Sequence, residues 1–125
     1  MSKSSSRSRA VPGVIPRLFA ADARGLVTFV VKVFDGVGKY RRDVPSEIRI
    51  GDSIIMINDA AIRGRWPAFL YVYVPDADVA CRRAVKLGAK VIEEPADMPY
   101  GDRRCMVKDK WGNTWQIATR LTSRR

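Results

Sequence analysis

Residues 69–95 read "FLYVYVPDADVACRRAVKLGAKVIEEP". The opening residues alternate as a strand does, and Asp76-Ala77-Asp78 then starts a helix that would bury Ala80, Ala84 and Leu87 before Gly88. Residues 14–38, "VIPRLFAADARGLVTFVVKVFDGVG", follow the same plan. A short strand leads to Asp22 as N-cap, then Leu26, Phe29, Val30, Val33 and Phe34 recur at helical spacing, and Gly36 stops the run. Asp22 and Asp76 lie 54 residues apart. Each helix is followed by sheet-like sequence: "YRRDVPSEIRIGDSIIMIND" (40–59) with a turn at Gly51-Asp52, and "RRCMVKDKWGNTWQIAT" (103–119) with a turn at Lys110 to Asn113.

Each half therefore reads as βαβββ. One helix cannot cover both faces of such a sheet, so two halves must pair to bury the second face or to enclose a cavity. The expected fold is α+β: two paired βαβββ modules forming a curved mixed sheet around a pocket, with the helices outside. The modules span 11–62 and 69–121. Residues 63–68, within "AAIRGRWPA", form the linker, and basic tails occupy 1–10 (expected disordered) and 122–125.

A chain of 125 residues has room for one domain or two small halves sharing a core, and 46% hydrophobic residues can fill it. Net charge is +10, of which residues 1–10 and 120–125 hold +3 each, leaving +4 on the body. The basic ends read as solvated tails that aid solubility; the other reading is a module that binds nucleic acid or protein through them, with affinity that falls steeply with salt. "MSKSSSRSRA" resembles the basic start of a signal peptide, but Pro12 and Pro16 break up the stretch where an apolar segment would have to lie. The longest apolar stretch, Leu26 to Phe34, is broken by Lys32 and is too short to span a bilayer. Cys81 and Cys105 lack zinc or redox-motif spacing, so reduced thiols in a cytoplasmic protein are expected.

The segments "IPRLFAADA", "EIRIGDSIIMIND", "LYVYVPDADVACRRAVKLGA" and "YGDRRCMVKDKWGNTWQIAT", in this order and spacing, resemble the vicinal-oxygen-chelate superfamily. That group contains glyoxalase I, extradiol dioxygenases and the bleomycin- and fosfomycin-resistance proteins, and the nearest likeness is to its PhnB-like branch. The resemblance implies a homodimer with two equivalent pockets, formed within each chain or by exchange between chains. Its metal enzymes place His and Glu ligands at four strand positions, which here fall on Ile15, Met56, Phe69 and Gln116. Hydrocarbon, thioether and amide groups make a poor site for a divalent ion, and the chain contains no histidine. No metal or other cofactor is expected, and metal-dependent lyase or dioxygenase activity becomes the least favoured reading.

Strand alternation sends Ile15, Arg17 and Phe19 to one face, and Phe69, Tyr71 and Tyr73 to the corresponding face, joined by Thr114, Gln116 and Ala118. Trp115 and Ile117 fall on the opposite side. The aromatic wall with Arg17 suits a flat ligand, anionic or neutral, although the same rings could instead fill the core. Trp66, beside Arg63 and Arg65, and Arg103, beside Tyr100 and Arg104, are further ligand-binding candidates. The resemblance also makes Asp102 and Arg103 of "YGDR" a loop-fixing ion pair. No catalytic set emerges: neither cysteine has a histidine to activate it, Glu93 and Glu94 point to opposite faces, and Asp109 caps the turn before Asn113. The sequence thus favours a metal-free protein that sequesters a small aromatic ligand and does no chemistry on it.

Overall fold

The computed structural model describes residues 13–60 and 66–121. Both tails, the linker residues 61–65, and with them Arg63 and Arg65, lie outside the described residues. The first half runs β1 (Arg17–Ala20), α1 (Ala23–Phe34), β2 (Ser46–Ile50) and β3 (Ser53–Asp59). The second runs β4 (Phe69–Tyr73), α2 (Ala77–Lys86), β5 (Lys90–Asp97), β6 (Asp102–Lys108) and β7 (Thr114–Arg120). Two mixed sheets result, ordered β1-β3-β2 and β4-β7-β6-β5, with β1 parallel to β3 and β4 parallel to β7. This is the expected α+β arrangement of two related modules. The second half is a complete βαβββ unit, whereas in the first a single bridge between Val37 and Arg49 stands where β5 stands in the second.

Both helices start where the aspartates put them. Asp22 accepts from the Gly25 amide at 3.0 Å and Asp76 from the Val79 amide at 3.2 Å. At the end of α1 the left-handed position is Asp35, not Gly36. Gly36 serves a different need, since a Cβ there would stand 2.9 Å from the Ile48 side chain. Gly88, at φ 100°, is the residue in the left-handed region after α2.

One core joins the halves. Leu18, Leu26, Val30, Ile48 and Ile57 from the first are continuous with Ala84, Cys105, Val107, Trp115 and Ile117 from the second. The indole of Trp115 lies 4.9 Å from the Phe34 ring and 6.2 Å from that of Phe29, so the second sheet packs its helix side against α1. Trp115 and Ile117 therefore lie beneath a helix, as strand alternation requires. The opposite face of each sheet is turned away from this shared core. Phe69, Tyr71 and Tyr73 remain 64%, 38% and 50% exposed, so the reading in which these rings fill the core fails. No helix among the described residues is long and apolar enough to cross a membrane.

Candidate functional site

The strand registers bring equivalent positions of the two halves into view. Arg17 opposes Met56, and Tyr71, 54 residues after Arg17, opposes Gln116. Met56 and Gln116 are thus structural counterparts. Of the four positions where metal ligands would sit, Ile15 precedes β1, Met56 is in β3, Phe69 opens β4 and Gln116 is in β7. Their donor set is one amide and one thioether, and among the described residues no three His, Cys, Asp or Glu side chains gather at one point. These residues do not fit a divalent ion.

On the open face of the first sheet, Arg17 donates from Nη2 to Asn58 Oδ1 at 2.7 Å, and its guanidinium lies 5.4 Å from the Phe19 ring centre. Arg17 is exposed, Phe19 and Asn58 are buried and Met56 is half-buried. The Asn58 carbonyl holds one end of the guanidinium, and among the described residues its other N–H groups make no further side-chain hydrogen bond. Asn58 follows Met56 by two in the same strand, so alternation places it on this face; its amide partnership with Arg17 has no local sequence signal.

On the open face of the second sheet, Tyr71 and Tyr73 pack edge to face at 5.4 Å, and Gln116 stands beside Tyr71. Both tyrosine hydroxyls donate to Asp102 Oδ2, at 2.6 and 2.8 Å. Arg120 donates to the Tyr73 hydroxyl at 3.0 Å and lies over its ring at 4.9 Å. Desolvation, then the Asp102 hydrogen bond, holds the Tyr71 hydroxyl well above its ordinary pKa, so it is a donor and not a base. The rings are therefore oriented at one end by a buried carboxylate, with Arg120 lying over that of Tyr73.

The structure separates Arg103 from these residues. Neighbours in a strand point to opposite faces, so Arg103 projects to the helix side and pairs with Asp78 at 2.8 Å and Asp97 at 2.9 Å. The Arg103 hydrogen bond lowers the Asp78 carboxyl. The expected Asp102–Arg103 pair gives way to two separate sets of contacts, Asp102 with the tyrosines and Arg103 with the two other aspartates. Arg103 borders a cleft of about 810 Å³ between α2 and β5, which also includes Glu94 and Cys81. Within that cleft Arg103 is already paired with Asp78, and it takes Asp97 as well. On the open face the second sheet offers Arg104 instead, which pairs with Glu93 of β5. Trp66 is 62% exposed at the edge of the linker. Asn58, Asp102 and Arg120 thus stand with the candidate residues on these faces without having been assigned there from sequence, and Arg104, named beside Arg103, is the one of that pair that reaches the open face.

Neither cysteine serves the site. Cys81 and Cys105 are buried thiols, and desolvation, followed by a hydrogen bond to Cys81, pushes the Cys105 thiol up to about 12. A free thiol in the unfolded chain ionises near about 8.5, so the folded state keeps the proton longer. The Cys105 contribution is complete below that pH and is lost as pH rises toward 12. Native protein at pH 8 is expected to resist iodoacetamide and to take up two alkyl groups in denaturant, read by mass spectrometry. Labelling at the same rate in both states would contradict the burial of the two thiols.

Comparison with known proteins agrees with this architecture. The chain is 28% identical over 124 residues to the uncharacterized protein Mb0911c of Mycobacterium bovis, covering 85% of this chain and 82% of that one. It is 29% identical over 127 residues to the anthracycline biosynthesis protein DnrV of Streptomyces peucetius, covering 84% of this chain but 45% of that one. The crystal structure of TioX from Micromonospora sp. ML1 shares the fold with a TM-score of 0.73 at 22% identity, over 89% of this chain and 100% of that one. A family profile matches residues 17–117, from the first residue of β1 into β7, and by that match the chain belongs to the glyoxalase/bleomycin resistance protein/dioxygenase superfamily.

Proposed function

We propose that the chain is a small-molecule-binding protein that works without a metal and sequesters a flat aromatic ligand of anionic or neutral character. The observation that carries this reading is an exposed aromatic strand face, with a tethered cation on the matching face of the other sheet, beside four positions that carry no metal-binding side chain. Rings of the ligand stack on Phe69, Tyr71 and Tyr73, Gln116 reads a polar edge, and Arg17 pairs with an acid group. DnrV is named for the biosynthesis of anthracyclines, which favours a flat aromatic ligand. The motif "YGDR" (100–103) supports placement in the PhnB-like branch.

The pocket is completed by a second copy. Arg17 on one of these faces and Phe69, Tyr71 and Tyr73 on the other stay exposed, and two copies that lay the first sheet of one over the second sheet of the other enclose two equivalent sites. The homodimer is expected to have twice the 14.0 kDa chain mass by light scattering.

Titration of tryptophan fluorescence with 2-naphthoate, after dialysis against a chelator, tests the reading. Saturable binding is expected, and Arg17→Ala should weaken it by about tenfold or more, the worth of one hydrogen bond to a charged group. A naphthylmethylammonium ion, cationic at neutral pH, should bind less well than the acid. The proposal fails if wild-type protein binds neither anionic nor neutral aromatic probes, or binds them only when a divalent ion is restored.

A further inference from the structure

We propose that Arg104 is a second anion anchor of this site, held by Glu93 in the ligand-free protein and taken over by an oxyanion of the ligand. The natural ligand then belongs to a narrower class: aromatic molecules carrying two separated acid groups, one for Arg17 and one for Arg104. This rests on the binding function and on the two-copy pocket proposed above, which brings the two cations to one cavity.

Arg104 makes an incomplete set of hydrogen bonds. Its side chain is 12% exposed, and Nη2 donates to Glu93 Oε1. Nε, by contrast, is buried without a partner. Glu93 thus engages one prong of a guanidinium that can offer two parallel N–H groups along its Nε–Nη2 edge. A buried donor left unpaired is unfavourable by a factor of about ten or more in an equilibrium constant, so this posture is not the best available to Arg104. A ligand carboxylate that accepts from both Nε and Nη2 removes that deficit; Glu93, half-exposed, is released to water at little cost.

The residues beside Arg104 in its row of the sheet are small. The cross-strand neighbours of Arg104 are Ala118 on β7 and Ala96 on β5, so no large side chain hems in the guanidinium on those two sides. Beyond Ala118 in the same row stands Tyr73, and Gln116 lies two residues earlier on β7. An acid group held by Arg104 would therefore keep the attached ring over the tyrosines. Arg103, satisfied by two aspartates on the other face, cannot take this role.

Two probes separate the outcomes: 2-naphthoate, with one acid group, and 2,6-naphthalenedicarboxylate, with two, titrated against wild type, Arg104→Gln, Glu93→Gln and Arg17→Ala. The dicarboxylate is expected to bind wild type about tenfold tighter than the monoacid, and Arg104→Gln should abolish that advantage. Glu93→Gln, which removes the competing carboxylate, should tighten the dicarboxylate about threefold, a gain that a purely structural pair would not give. Equal affinity for the two probes, with Arg17→Ala weakening both and the Arg104 and Glu93 variants matching wild type, would overturn the second anchor and leave the binding function standing. Failure of wild type to bind either probe would overturn both.

Discussion

Asp109→Ala is expected to lower the melting temperature by about 15 °C, corresponding to a loss of about 4 kcal/mol. Asp109 is 6% exposed and accepts four hydrogen bonds. The amides of Trp111 and Asn113 donate to Oδ1, and the Asn113 side-chain amide and the Trp115 indole donate to Oδ2, at 2.8 to 3.0 Å. Alanine would leave all four donors without this acceptor inside the protein. The loss spreads beyond the turn, because Asn113 Oδ1 accepts from the Ala68 amide at 2.9 Å and so fixes the start of β4. Asp109→Asn should lose roughly half as much: one oxygen is kept, while its amide nitrogen confronts donors. Thermal unfolding of the three proteins checks this. A drop below about 5 °C for Asp109→Ala would mean that water replaces the carboxylate, and that the turn is held by its backbone alone.

That turn was legible in sequence, and the reason separates what could be read from what could not. Asp109 and Asn113 act within one local turn, and local geometry is what residue spacing encodes. The same holds for Asp22 and Asp76, whose offset of 54 residues assigns Arg17 and Tyr71 to equivalent places, as the registers with Met56 and Gln116 bear out. Period-two alternation also fixed the faces of Phe69, Tyr71, Tyr73 and Trp115. Contacts made by long side chains between strands were not legible. Arg103 finds Asp78 across 25 residues of chain, and Tyr71 finds Asp102 across 31. Alternation says which side of the sheet Arg103 and Arg104 occupy relative to each other, but not which of the two faces the tyrosines; the observed register with Thr119 and Ala118 decides it. The bridge at Val37 was illegible for a related reason. Residues 40–45 fall in the stretch read as sheet-like, yet Asp43 takes the left-handed region at φ 72° ahead of Pro45, and β2 begins only at Ser46.

Trp115→Ala should cost about 4 kcal/mol, as large as the loss of Asp109, because this one ring closes the seam between the halves. It is fully buried, it packs on Phe29 and Phe34 of the other half, and its indole N–H is one of the four donors to Asp109. Trp115→Phe separates the two contributions: it keeps most of the packing and deletes the donor, for an expected loss of about 1.5 kcal/mol. Since Asp109 and Trp115 share a hydrogen bond, the loss in the Asp109→Ala, Trp115→Phe double variant should fall short of the sum of the single losses by about 1 kcal/mol. Strict additivity would show that the carboxylate serves the turn and the indole serves the seam independently. Trp115 also points away from Gln116, so Trp115→Phe should bind 2-naphthoate as wild type does while melting earlier. Loss of binding at unchanged stability would place the ligand on the helix side of the sheet and sink the assignment of the tyrosine face.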